Sequence, residues 1–333
     1  MMGIVRTDSQ ARQPQAQGSS VCCGRAEDGP SGRRSQPVAG RVRQNPYTSN
    51  SFPQSAPEHL AAVSFLFGLP APQTFTARVL EIGCASGGNL FPFAAANPHA
   101  RVVGIDLSEV QIEQARARAA SLQLNNIEFI AADIAQIDAE TLGVFDFVIA
   151  HGVYSWVPPH VQHALLAMIR AVLAPEGVGY LSYNVYPGWK TKEVVRDAML
   201  LASRGDRTAP DKVASATEML NFLEEVAPPD GVLACVIAEN RAANEGFDDS
   251  YLLHDELEAF NAPCYFIDML SRLDKHGLAF LCEARPETMV PANFGPRVAE
   301  YLAATCGGAQ LLIEQYLDFR RQPHVPRVAC SSC

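Results

Sequence analysis

Three carboxylates recur at the same kind of place in this chain. Glu81 stands near the end of RVLEI, Asp106 closes RVVGID and Asp133 closes IEFIAAD. Each run is rich in branched apolar residues, as expected of a strand buried on both faces. Between the first two lies the turn Gly83-Cys84-Ala85-Ser86-Gly87-Gly88, followed by Asn89. A glycine-rich turn between a strand and a helix lets a ligand approach the backbone. The chemistry suggested is the binding of a nucleotide-like molecule.

The residue types narrow the ligand. The turn fails the dinucleotide pattern G-x-G-x-x-G because Ala85 occupies the second glycine place, where a pyrophosphate must come close. No Gly-Lys-Ser/Thr follows, so it is not a P-loop. A carboxylate at Glu81 repels pyrophosphate and favours a ligand carrying positive charge. A surface or helix-end acid is the competing reading of Glu81. Asp106, 23 residues after Gly83, can accept from both hydroxyls of a ribose, which suits NAD and S-adenosylmethionine equally. Asp133 can accept from an adenine amino group while the Ile134 N–H meets a ring nitrogen. S-adenosylmethionine, with its ammonium and sulfonium, uses all three acids. A nicotinamide dinucleotide needs only the second.

The elements that must position these groups alternate. Strands are predicted over 78–83, 101–106, 127–133, 145–151 and 177–184. Helices are predicted over 57–69, 88–97, from Ser108, and over 159–174. The first is read with Leu60, Val63, Leu66 and Phe67 on one face, and the one from Ser108 with Ile112, Ala115, Ala119 and Leu122 inward. Such alternation predicts an α/β fold with a doubly wound, mostly parallel sheet. Residues 189–260 read as a helical insertion or cap after the fifth strand. A helix at 266–276, a strand at 278–284 and helices at 296–304 and 308–319 complete the pattern.

Bulk properties bound the function. The net charge is −10 and the pI about 5.3, which argues against general nucleic-acid binding. No transmembrane run is found, and the first residues lack a signal-peptide core, so a cytoplasmic location is expected. The nine cysteines show no zinc spacing, so no metal is expected. Cys84, Cys235, Cys264, Cys282 and Cys306 read as reduced core residues. Residues 1–44, with seven arginines against three acids, read as a disordered tail.

The segments VLEIGCASGGN, VVGIDLS, AADI and FDFVIAHGVYSWV resemble the motifs of Rossmann-like class I S-adenosylmethionine-dependent methyltransferases. More narrowly, PYTSNSFPQSAPEHLA, HGVYSWVP, YNVYPGW and NAPCYF with HGLAFLCEA resemble the group that carries a methyltransferase regulatory domain, among them rickettsial-type protein-lysine methyltransferases. The likeness runs from about Pro46 to Phe319. It implies that Glu81, Gly83, Cys84, Ala85, Gly87 and Asn89 hold the methionine part of the cofactor. It places the ribose on Asp106, the adenine on Leu107, Asp133 and Ile134, and His151 beside the methionine part. It divides the chain into a cofactor-binding core with its N-terminal helix (45–188), a cap (189–260) and a return to the core leading into the regulatory region (261–319). Residues 320–333 are foreign to the pattern, as are residues 1–44. Both ends read like translation in a shifted frame or from a mis-set start, which would leave the chain without its final sheet strand and its accessory domain.

The acceptor side follows the fourth and fifth strands. His151 is read as a general base or as a backbone-bonding residue, and Tyr154 as orienting an amine. Trp156, Tyr183, Asn184, Tyr186 and Trp189 are read as lining the acceptor pocket. His254, Asp255 and Glu256 are further groups that could reach it from the cap. A protein lysine is the acceptor by resemblance, and another nitrogen or oxygen nucleophile, on a small molecule or glycan, fits the same residues. A non-catalytic S-adenosylmethionine-binding regulatory protein on the same fold is the alternative reading. The partners expected are that acceptor and neither membrane nor nucleic acid.

Overall fold

Alternate residues of each central strand go to opposite faces, and this sets the layers. Val79, Val102, Phe147 and Val178 face one apolar cluster, while Leu80, Val103, Val148 and Leu181 face another. The computed structural model describes residues 2–7, 49–206, 208–244, 256–258 and 260–321. Its strands are β1 (Met2–Thr7), β2 (Arg78–Ile82), β3 (Arg101–Asp106), β4 (Ile127–Ala131), β5 (Phe145–Ala150), β6 (Leu173–Ser182) and β7 (Leu278–Glu283). They form one sheet in the order β4-β3-β2-β5-β6-β1-β7. Strands β4 through β6 in that order pair in parallel, so their carboxyl ends share one edge.

Helix α1 (Pro57–Leu66) starts with proline at its first position and buries Leu60, Val63 and Ser64. Leu66 and Phe67 do not share that face. They are exposed, because the helix ends at Leu66 and the buried stripe runs through Ser64 instead. Helix α2 (Leu90–Ala96) follows the glycine turn. Helix α3 (Glu109–Ser121) is capped by Ser108, whose hydroxyl accepts from the Gln111 N–H. Its Ile112, Ala115 and Ala119 are buried as read, whereas Leu122 lies past the last turn and is exposed. Helix α4 (Pro159–Val172) packs Leu165, Ile169 and Val172 on the sheet.

The stretch after β6 is helical. Helices α5 (Gly188–Ala202), α6 (Ala209–Val226) and α7 (Val232–Asn244) enclose an apolar cluster that includes Val195, Met199, Ala216, Leu220 and Ile237. Glu256 is buried there and accepts from Asn240 at 3.3 Å, so it serves this cluster and not the acceptor side. His254 and Asp255 lie outside the described residues. Helix α8 (Phe266–Lys275) leads into β7, and α9 (Pro296–Cys306) and α10 (Gln310–Arg321) close the described chain.

Three expectations change here. Residues 2–7 are a strand, because Ile4 and Val5 find burial and pairing that no local periodicity reveals. The sheet therefore has a strand between β6 and β7. Arg320 and Arg321 continue helix α10, where Arg321 pairs with buried Asp318 at 3.0 Å. Cys235 is exposed, while Cys84, Cys264, Cys282 and Cys306 are buried free thiols. The remainder of 1–44, and residues 322–333, lie outside the described residues.

Candidate functional site

The glycine turn stands where β2 ends, at the centre of the parallel edge, and is tied down from both sides. The Gly83 and Cys84 N–H groups donate to the Ile105 carbonyl at 2.7 and 3.1 Å. The Ala85 N–H donates to Asp106 Oδ2 at 2.9 Å, and the Ser108 N–H to Oδ1 at 2.8 Å. Asp106 thus organises the turn and keeps further lone pairs on both oxygens for a ligand. Burial raises its pKa, opposed by those backbone donors. Ala85 sits at φ +47°, a conformation that this carboxylate helps to hold.

Gly83 is required by geometry. Its φ is +76°, and a Cβ there would lie 2.3 Å from Val153 Cγ2. At Gly152 the φ is +67° but nothing lies within 4 Å of an added Cβ. Gly83→Ala is therefore expected to cost about 2 kcal/mol more than Gly152→Ala in thermal unfolding, the difference being the clash with the 151–157 loop. Equal losses would show that the loop yields freely. Cys84 turns inward against Gly104, where burial raises its thiol pKa, so it contributes packing and an N–H and no reactive group.

Glu81 is buried beside the turn. Its Oε1 accepts from Asn89 Nδ2 at 2.8 Å, while Oε2 has no hydrogen-bond partner. Burial, with Asp106 nearby, pushes its pKa to about 7. A buried carboxylate oxygen left open is what an incoming ammonium would satisfy. The donor set thus fits S-adenosylmethionine: Glu81 for the ammonium, Asp106 for the ribose, and half-exposed Leu107 as a cover for the adenine. Asp133 lies two residues past β4. Its oxygens cap the following turn through the Ala135 N–H at 2.9 Å and Gln136 Nε2 at 3.0 Å, with Ile134 next to it.

His151 follows β5 and is clamped on two sides. The Phe52 ring lies 3.8 Å away, centroid to centroid, and the Tyr180 hydroxyl is 3.0 Å from Nδ1. Burial lowers its pKa to about 4, so the imidazole is neutral at pH 7. The aromatic residues behind it are mostly wall. Tyr154 is buried, accepts from Arg272 Nη1 at 3.3 Å and packs edge-on against buried Tyr183. It does not face the mouth as expected, because its ring is buried between Tyr183 and Arg272. Asn184 is buried and donates to Asn261 at 2.8 Å. Trp156 and Trp189 meet edge to face at 5.8 Å. Tyr186 is half-buried, its hydroxyl donates to Glu193 at 2.6 Å, and the Lys190 ammonium stands over its ring at 4.4 Å.

Sequence reading missed the strap formed by residues 49–56. Ser49 Oγ accepts from the Gly88 N–H at 2.7 Å, and the Phe52 N–H donates to Asn89 Oδ1 at 2.8 Å. The signal was present in SNSFPQSAP, but it has no periodicity and gains meaning only from contacts made 37 or 39 residues away.

A parallel sheet with this turn and these acids at its carboxyl edge is a Rossmann-like class I methyltransferase fold. Residues 79–177 match the family described as methyltransferase domain, and residues 248–325 that described as predicted methyltransferase regulatory domain. The uncharacterized Rickettsia prowazekii protein RP028 is 34% identical over 234 residues, covering 69% of this chain and 92% of the relative. RP789 of the same organism is 37% identical over 275 residues, covering 82% of this chain and 49% of the relative. The structure of PKMT2 from Rickettsia typhi in complex with AdoHcy superposes with a TM-score of 0.74 at 33% identity, covering 83% of this chain and 52% of that one. The chain belongs to the S-adenosylmethionine-dependent methyltransferases that carry a methyltransferase regulatory domain. It spans about half the length of RP789 and of the Rickettsia typhi protein. Among the described residues no helix is long and apolar enough to cross a membrane, and no cluster of acids, histidines or cysteines is arranged to hold a metal ion.

Proposed function

We propose that this chain transfers a methyl group from S-adenosylmethionine to an amine, with a protein lysine as the acceptor class. The observation that carries the cofactor reading is Glu81: a buried carboxylate with an open oxygen, next to a glycine turn organised by Asp106. The cofactor, when bound, supplies an electrophilic methyl on a sulfonium. The chain's own residues do the rest. Glu81 and Asp106 fix ammonium and ribose, Leu107, Asp133 and Ile134 hold the adenine, and the 49–56 strap shields the turn from water. The lysine reading rests on the similarity to PKMT2 and on the Tyr186 face, which already holds one alkylammonium, that of Lys190.

His151 acts here as a neutral, positioned imidazole. Its low pKa makes it a weak base, so the amine must reach the site already deprotonated or pass its proton to water. At saturating cofactor, the transfer rate is expected to show no His151 inflection between pH 5 and 8. An inflection near 6.5 that disappears in His151→Asn would make it a conventional general base.

The activity test is incubation with methyl-labelled cofactor and a lysine-rich polypeptide, beside its fully acetylated form and a panel of small hydroxyl and carboxyl acceptors. Label on lysine nitrogen supports the proposal, and label only on oxygen acceptors replaces it. The buried free thiols Cys84, Cys264, Cys282 and Cys306 suit a reducing compartment, and we place the protein in the cytoplasm, to be checked by fractionation.

A further inference from the structure

Strand β1 lies between β6 and β7 and pairs with both. Met2 to Val5 pair antiparallel with Ser182 to Gly179 of β6, and Gly3 to Thr7 pair antiparallel with Glu283 to Leu278 of β7. The slot is selective. Ile4 and Val5 are fully buried, Val5 sits over Gly179 where a Cβ would lie 2.7 Å from its Cγ2, and Gly3 lies under the Phe280 ring. A small apolar cavity lined by Gly3, Val5, Leu181, Tyr183, Phe266 and Phe280 lies along the seam. Residues 8–48 separate it from the next described residue, a length that extended would span on the order of 130 Å.

We infer that Met2–Thr7 is an exchangeable strand, and that the groove between β6 and β7 accepts the same segment from a second copy of this chain. Backbone pairing on both sides supplies affinity, and the Ile4 and Val5 side chains, with the bare Gly3 backbone under the Phe280 ring, supply register. The exchange reaches the site. Ile4 lies opposite Tyr180, whose hydroxyl meets His151, and Met2 lies opposite Ser182, whose Oγ accepts the Gly152 N–H at 2.7 Å. In an exchanged dimer each copy braces the other's His151 loop. The inference does not depend on the reaction proposed above. Exchange is second order in the chain, so it shows itself at high protein concentration.

The test uses full-length chains. Ile4 is the register partner of Cys282, with both side chains in one core cluster. A donor carrying Ile4→Cys and Cys282→Ser, unlabelled, is mixed with isotope-labelled wild-type acceptor at several concentrations and then oxidised. Only exchange can link position 4 of the donor to Cys282 of the acceptor. Mass spectrometry is expected to find that linked pair, rising about fourfold for each doubling of concentration while the dimer is the minor species. The same mixture with a Cys282→Ser acceptor gives none. If Ile4→Cys beside native Cys282 links only within one chain, the strand does not exchange and the inference fails. If position 4 links to nothing, the strand does not occupy the slot and the inference fails again. Should Ile4→Cys not fold, a Val5→Cys donor and a Gly179→Cys acceptor report the same seam from β6.

Discussion

Asp106→Ala is expected to weaken S-adenosylhomocysteine binding by roughly 100-fold, about 2.7 kcal/mol, in calorimetric titration. Two losses add. The first is direct: a carboxylate accepting from ribose hydroxyls makes charge-assisted bonds, each stronger than a neutral one. The second is structural. Asp106 receives the Ala85 and Ser108 N–H groups, and removing it leaves two donors unpaired at the edge of the turn while Ala85 must keep its positive φ without support. Asp106→Asn separates the two. Its single carbonyl oxygen can take one backbone donor, so it should bind better than the alanine variant and worse than the wild type. Circular dichroism and thermal unfolding show whether each variant is folded when titrated. Unchanged affinity in a folded Asp106→Ala would place the ligand elsewhere and remove the cofactor reading with it.

Glu81 and Asp106 were legible because a parallel strand buried on both faces carries few polar residues, so a carboxylate near its end stands out, whereas Asp133 lies two residues past the edge strand β4, which itself carries exposed Glu128. The capped helix α3 was legible for a similar local reason: Ser108 and Gln111 sit at the spacing that satisfies a helix start. What was not legible depends on contacts distant in sequence. The strand Met2–Thr7 is six residues long with no repeat to mark it, and it exists because β6 and β7 leave a slot for it. Tyr154 and Tyr183 look the same in sequence whether they line a mouth or fill a seam, and the Arg272 partner that decides the matter is 118 residues away. Leu66 and Phe67 illustrate the converse, apolar residues placed inside by periodicity and left outside because the helix ends.

Glu81 makes the strongest pH prediction. Between its ordinary value of 4.5 and its folded value of about 7, the folded chain holds a proton that the unfolded chain releases. This contribution stabilises the fold below pH 4.5 and is lost as pH rises through 7. At pH 8 the ionised, buried carboxylate therefore costs up to about 3 kcal/mol, and Glu81→Gln should melt at a higher temperature than wild type there, with the gap closing toward pH 5. Binding runs the opposite way. An ammonium ligand needs the carboxylate charged, so wild-type affinity for S-adenosylhomocysteine should fall roughly tenfold per pH unit below 7. Binding at pH 7 should also release protons, giving a calorimetric enthalpy that changes with the ionisation enthalpy of the buffer. Glu81→Gln should bind more weakly at pH 8 and lose both the pH dependence between 6 and 8 and the buffer dependence. Stability gained and binding lost in one substitution would mark Glu81 as a charge the fold tolerates for its ligand. If the variant neither melts higher nor binds more weakly at pH 8, the open oxygen of Glu81 has no ligand role, and Asp106 is left as the main anchor.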